Sequence, residues 1–178
     1  MTKILRALGL ALLAALPLVA AGPAPAATAR HPAPHPAAAV RPVAPVPVGT
    51  RVHLIDPAED SGVHIAVHLN RDYVLLGERR GDRGDRVVFH RRGHGYTIEQ
   101  TFSHYVHHSW WHAAGANGVR LSKESDATVF AVFPTRYGLL FADEQGRYPA
   151  IHHNGTRWLR TASRLDSRSS WAYFRTER

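Results

Sequence analysis

The sequence predicts an all-β domain, and the distribution of apolar residues is the first reason. From Arg51 onward the apolar runs are short, rich in β-branched and aromatic residues, and separated by Gly, Asn, Asp and Ser. No window of ten or more residues keeps the apolar stripe of an amphipathic helix. Many short strands with frequent turn signals are typical of a barrel or a sandwich. The predicted strands are, in chain order, VHLID, VHIAVHL, YVLL, RVVF, YTIEQTF, YVHHSWW, VRL, TVFAVF, YGLLFA, YPAIHH, WLRT and WAYF.

An internal repeat is the second reason, and it defines the architecture. Each unit closes with a predicted strand, and in the three closing strands Phe89, Phe130 and Trp171 recur at intervals of 41 residues. Each unit contains four predicted strands, so three units fill residues 51–178. This arrangement predicts a β-trefoil, in which a six-stranded barrel is closed by three hairpins and the exposed sheet edges disappear. The predicted core comprises the apolar residues at repeat positions, which are Leu75, Phe89, Leu121, Phe130, Leu159 and Trp171.

Residues 1–29 are predicted to be a secretory signal peptide. Lys3 and Arg6 provide a basic start, an apolar run covers residues 8–21, and residues 27–29 read Ala-Thr-Ala, which matches a cleavage site. The alternative is an N-terminal membrane anchor, but the apolar run is short for a spanning helix. We therefore expect an extracellular protein that has no membrane contact after cleavage.

The domain at residues 51–178 is expected to stand alone behind a spacer. Residues 30–50 form a Pro/Ala-rich linker, which is either an extended polyproline spacer or an unselected low-complexity tail. The chain has no cysteine, so a lipid anchor on cysteine is excluded and the domain must be held together by its hydrophobic core. We expect it to act as a monomer.

Charge and motifs argue against several classes of function. The formal net charge is +8 for the whole chain but only +4 from Arg51 onward, and no basic patch alternates with aromatic residues, so nucleic-acid binding is not expected. The acids lie mostly in predicted loops, and the sequence has neither a serine-centred nucleophile elbow nor a phosphate loop. We therefore expect a protein that is not an enzyme and has no cofactor.

Three short motifs have simpler interpretations than their functional ones. HYVHHSWWH, residues 104–112, suggests a metal site, but the predicted strand separates histidines that only a helix would bring together. RGDRGD, residues 80–85, contains a tripeptide that binds integrins, but it is also a natural tight turn. Residues 154–156, Asn-Gly-Thr, form a glycosylation sequon whose Asn-Gly equally predicts a hairpin turn.

The second repeat carries a resemblance to a known family. There, YVHHSW is followed by VRL and then by SDATVFAVFP. This order resembles the arabinofuranose-binding β-trefoil module found at the C-terminus of alpha-L-arabinofuranosidases of the B type, and more broadly fascin-like and lectin-like trefoils. In that family each unit binds a furanose sugar with a His and an Asp. The resemblance implies a carbohydrate-binding module, although the family's module is normally attached to a glycosidase.

The resemblance implies sites in the first two units. In the second unit it assigns His108 and Asp126 to the sugar, with Tyr105 as the aromatic partner. In the first unit it assigns His68 and Asp85. A carboxylate accepts hydrogen bonds from sugar hydroxyls and a neutral imidazole both donates and accepts, so such a pair can bind adjacent hydroxyls. The alternatives are ordinary surface histidines and aspartates that form turns.

The third unit departs from the pattern. It supplies His153, but Ser167 stands where the Asp is expected. Asp166 is adjacent, yet a shift of one residue on a strand turns a side chain to the other face. We therefore expect the clearest site in the second unit and treat the third as degenerate.

Together these features predict a secreted, noncatalytic carbohydrate-binding module. The resemblance indicates arabinofuranose side chains of polysaccharides such as arabinoxylan as the ligand. The alternative is a secreted β-trefoil that binds a protein or a cell-envelope partner and has no sugar site.

Overall fold

The computed structural model describes residues 46–153 and 155–178. The predicted signal peptide, residues 30–45 of the predicted linker and Asn154 of the sequon lie outside the described residues. Within the described part of the chain, no helix has the length and apolar character needed to cross a membrane.

The predicted all-β class is confirmed: the described residues form strands joined by turns and two short 3₁₀ turns, Gly115–Asn117 and Glu124–Asp126. The strands are β1 (Arg51–Asp56), β2 (Ser61–His68), β3 (Arg71–Leu76), β4 (Arg86–Arg92), β5 (Gly95–Gln100), β6 (Trp110–Ala113), β7 (Val119–Ser122), β8 (Ala131–Thr135), β9 (Gly138–Ala142), β10 (Tyr148–His153), β11 (Arg157–Ala162), β12 (Ser169–Trp171) and β13 (Arg175–Glu177). The sequence did not predict β13, which pairs with β1.

Strand pairing closes the main sheet on itself. Its order is β12-β10-β11-β3-β2-β1-β4-β5-β6-β7, and an additional pairing of β3 with β7 joins β1 through β7 into a ring of seven strands. The sequence predicts a six-stranded barrel. β8 and β9 pair with each other in a separate sheet and contact the rest through isolated bridges, Tyr96 of β5 with Phe130 and Leu139 of β9 with Phe174.

Alternation along β3 separates the core from the outer face. In β3, Asp72, Val74 and Leu76 are buried, while Arg71, Tyr73 and Leu75 point the other way and remain partly exposed. The assignment of Leu75 to the core is therefore wrong, since a shift of one residue reverses the face. The other predicted core residues are buried, namely Phe89, Leu121, Phe130, Leu159 and Trp171.

The predicted strand YVHHSWW is wrong over its first half. Residues 101–109 form a loop, and β6 begins only at Trp110. His107 has a φ of +64°, outside extended geometry, and the N–H of Gln100 donates to the carbonyl of Ser109 at 2.7 Å. This hydrogen bond joins the two ends of the loop. The side chains between them therefore do not alternate as strand residues would.

Candidate binding site

The loop at residues 101–109 is organised around one buried carboxylate. Asp72 on β3 has a fully buried side chain, and it accepts hydrogen bonds from the His104 backbone N–H at 2.7 Å and from its ring at 2.8 Å. The Ser103 hydroxyl lies 2.9 Å from the same carboxylate and 2.6 Å from the carbonyl of His108. Because a hydroxyl carries one proton, it donates to one of these acceptors at a time. The buried carboxylate thereby attaches the loop to the β2–β3 hairpin.

This attachment brings the predicted residues of the second unit together. One pocket of about 300 Å³, which we call the Tyr105 pocket, is lined by Tyr105, His108 and Asp126. Tyr105 and His108 come from the loop and are half-buried, whereas Asp126 ends the 3₁₀ turn after β7 and is exposed. The pocket is also lined by Asn70, in the turn between β2 and β3, and by Arg71 at the start of β3.

The side chains in this pocket are available to a ligand. Among the described residues, the side chains of Tyr105 and His108 have no hydrogen-bond or ion-pair partner. The Asp126 carboxylate accepts one hydrogen bond, from the Ser125 hydroxyl at 3.1 Å, which leaves lone pairs unused. The arrangement offers an aromatic ring, an imidazole and a carboxylate to a small polyhydroxylated ring.

Sequence reasoning missed the basic residues of the pocket. Arg71, Arg120 and Lys123 also line it. Arg71 and Arg120 occupy outward positions on β3 and β7, so alternation could have placed them on the outer face. It could not have shown that both reach one pocket, because this depends on the pairing of β3 with β7.

The structure does not bring His68 and Asp85 together. His68 lies at the exposed end of β2 and lines a different pocket, together with Tyr73 and Trp158. Asp85 instead accepts a hydrogen bond from the backbone N–H of Ile65 at 3.0 Å. Its carboxylate therefore stabilises the contact between a loop and β2.

His153 and Asp166 also have separate surroundings in the third unit. The His153 ring lies 2.9 Å from the Ser170 hydroxyl. Asp166 accepts hydrogen bonds from the Ser169 hydroxyl and from Arg160, both at 2.7 Å. The Ser169 hydrogen bond, followed by Arg160, holds the pKa of the Asp166 carboxyl well below its ordinary value. Asp166 is thus engaged in organising its own loop.

The histidines of HYVHHSWWH point to different partners. His104 contacts Asp72, and the Nδ1 of His112 lies 2.7 Å from the backbone carbonyl of Asp126. Over residues 46–153 and 155–178, there is no group of three or more histidines or acids that could hold a metal ion.

No family model matches the sequence, and no curated protein matches it either. Solved structures do match the fold. Soybean trypsin inhibitor superposes with a TM-score of 0.56 at 16% identity, covering 75% of this chain and 95% of the inhibitor. The water-soluble chlorophyll protein from Brassica oleracea var. Botrytis with chlorophyll b gives a TM-score of 0.53 at 12% identity, covering 73% of this chain and 92% of that protein.

Lysenin is a third match. Its complex with phosphocholine superposes with a TM-score of 0.55 at 13% identity over 71% of this chain. The chain spans about half the length of the lysenin structures that it matches, 48% of one and 44% of the other. At these identities the likeness concerns the fold alone, and it shows a β-trefoil-like fold. None of the three proteins is named as an enzyme.

Proposed function

We propose that this protein is a secreted, noncatalytic carbohydrate-binding module for arabinofuranose side chains of polysaccharides such as arabinoxylan. The observation that carries the proposal is the convergence of Tyr105, His108 and Asp126 on one pocket. These are the residues that the family resemblance assigns to the sugar. They lie on a loop and a turn separated by β6 and β7, so their meeting does not follow from closeness in sequence.

The chemistry of the pocket suits a small sugar. Vicinal hydroxyls donate and accept, which matches an imidazole beside a carboxylate, and the Tyr105 ring can cover the C–H face. A volume of about 300 Å³ is at the lower end of ligand pockets, so one sugar residue is the appropriate size. Single sites of this size bind weakly, and we expect immobilised polymer to be retained better than free sugar.

We also propose that the β-trefoil consists of three four-stranded repeats, of which the second alone keeps the sugar site. The 41-residue recurrence of Phe89, Phe130 and Trp171 supports this, since all three are buried. The hairpins β2–β3, β6–β7 and β10–β11 would be the equivalent elements. Asp85 and Asp166, which would mark the other two sites, are engaged in internal hydrogen bonds.

Retention on two matched polymers tests the proposal. We expect the mature protein to be retarded by arabinoxylan but not by xylan stripped of arabinose. His108→Ala should reduce retention by about tenfold while the melting temperature stays nearly unchanged, since a lost sugar hydrogen bond costs about 1–2 kcal/mol. His94, which is exposed and does not line the pocket, provides the control variant His94→Ala. Equal retention of the wild type on both polymers would contradict the proposal.

A protein or cell-envelope partner is the second candidate. Beside the Tyr105 pocket, Leu69 on the β2–β3 turn is 77% exposed and Val106 on the neighbouring loop is 81% exposed. Two such apolar side chains suit a protein interface better than a sugar. Loss of binding to envelope material in Val106→Ser, with arabinoxylan retention absent throughout, would favour this candidate.

A further inference from the structure

A second pocket lies where β3, β7 and β11 meet. It has a volume of about 470 Å³ and is larger than the Tyr105 pocket. We name it the arginine pocket, after three residues that line it. The residues that matter for its chemistry are Arg71, Arg120, Arg160, Tyr73, Trp158 and His68.

Strand register explains why three arginines converge there. β3 pairs with β7 at Tyr73 and Arg120, and with β11 at Leu75 and Trp158. Residues directly opposite in an antiparallel pair share a face, so the outward positions of the three strands line one surface. Each strand places one arginine at such a position, and sequence alone shows them only as isolated members of an arginine-rich chain.

The pocket has an excess of positive charge. Of the described residues that line it, none carries a carboxylate. Arg71 and Arg120 form no ion pair within the described part of the chain, and both also line the Tyr105 pocket. Arg160 is paired with Asp166 at 2.7 Å, so the uncompensated charge of the pocket comes from Arg71 and Arg120.

An aromatic wall completes the pocket. The rings of Tyr73 and Trp158 have centroids 5.5 Å apart in an edge-to-face arrangement, and the His68 ring lies 5.8 Å from Trp158. Such surfaces cover the C–H face of a saturated ring, while guanidinium groups bind carboxylate or sulfate oxygens, often bidentately. A small inorganic anion would leave the aromatic wall unused.

We propose that the arginine pocket binds an acidic sugar, a saccharide ring that carries a carboxylate or a sulfate group. Because Arg71 and Arg120 line both this pocket and the Tyr105 pocket, the two would hold neighbouring residues of one branched, acidic oligosaccharide. Binding of one oligosaccharide across both pockets rests on the proposed function, whereas the acidic-sugar site itself does not.

Calorimetric titration of the mature protein tests the site with three probes: trigalacturonate, a sulfated galactose trisaccharide and neutral galactotriose. We expect one acidic probe to bind at least about tenfold more tightly than the neutral one. Which of the two acidic probes binds shows whether the ligand carries a carboxylate or a sulfate. Arg120→Gln should remove most of this preference. Arg164→Ala, an exposed residue outside the pocket, removes the same charge and should retain it.

A second variant addresses the aromatic wall. Trp158→Leu keeps an apolar side chain opposite Leu75 and should weaken the acidic probe by about tenfold, because the ring-covering surface is lost. The melting temperature of each variant shows whether its weaker binding comes from a folding defect. Equal binding of neutral and acidic probes, or equal loss in Arg120→Gln and Arg164→Ala, would overturn the proposal. Retention of the unmodified protein on arabinoxylan tests the proposed function separately, so the two can fail independently.

Discussion

The loop at residues 77–85 and the turn at residues 123–128 occupy corresponding positions before Phe89 and Phe130, yet they use their aspartates differently. In the first, the Asp85 carboxylate accepts the Ile65 N–H, and the Asp85 N–H donates to the carbonyl of Val63 at 2.7 Å. In the second, the Asp126 carboxylate bonds only to the neighbouring Ser125 among the described residues. One aspartate stabilises the fold, and the other is available to a ligand.

The difference follows from how closely each segment approaches the strands. A Cβ atom on Gly84 would lie 2.1 Å from the carbonyl oxygen of Val63, so the first loop lies directly on β2. The turn that carries Asp126 instead borders a pocket. It contacts β6 through the Asp126 backbone carbonyl, which accepts from the His112 ring, and through Thr128, whose N–H donates to the Trp111 carbonyl and whose hydroxyl accepts from the Ala113 N–H. None of these contacts uses the Asp126 carboxylate. Equivalent positions in a repeat therefore need not share a function.

The two glycines of RGDRGD provide the largest expected effect. Gly84 has a φ of +67° and no room for a Cβ atom, whereas Gly81 has a φ of +79° with open space around it. We expect Gly84→Ala to lower the free energy of unfolding by about 3 kcal/mol or more, through clash and strain. Gly81→Ala should cost about 1 kcal/mol, from its backbone conformation alone. Urea denaturation measures both, and equal costs would show that the first loop is not pressed against β2.

Removing each aspartate in turn sharpens the comparison. Asp85→Ala should lower the free energy of unfolding by about 2 kcal/mol, because the Ile65 N–H loses a charged acceptor, and should leave arabinoxylan retention unchanged. Asp126→Ala should change stability by less than about 0.5 kcal/mol and reduce retention roughly tenfold. Denaturant titration and affinity electrophoresis give the two readouts. The reverse pattern would mean that Asp126 is the structural residue.

The third unit gives the smallest effect, and that effect depends on pH. The pKa of Asp166 is lowered from its ordinary value of 3.8, chiefly by the Ser169 hydroxyl and then by Arg160. A lowered folded-state pKa contributes stability above pH 3.8 that is lost as the pH falls further. Asp166→Asn should therefore have a lower urea midpoint than the wild type at pH 7, and this difference in midpoint should narrow only as the pH falls below 3.8. Because Asp166 is exposed, the difference is small. A difference in urea midpoint that did not change with pH would mean that the ionised Asp166 carboxylate contributes no stability.

Most strands were predictable because alternation and turn residues are local properties of the sequence. β10 begins and ends where YPAIHH does, and β1, β3 and β11 match their predicted segments to within two residues. Leu75 shows the limit of this reasoning, since the apolar run YVLL contains residues that face both ways. The loop at residues 101–109 shows another limit, because its apolar and β-branched residues match the pattern of a strand although they form a loop.

The sequence by itself determined the all-β class, most of the strands, nearly all of the predicted core and the set of aspartates at repeat positions. Only the tertiary structure decided which aspartate is available, and that the arginines of β3, β7 and β11 share a pocket. The reason is distance along the chain. Alternation acts between neighbours, whereas Asp72 holds His104 from 32 residues away and Tyr73 pairs opposite Arg120. Such contacts exist only once the sheet has closed.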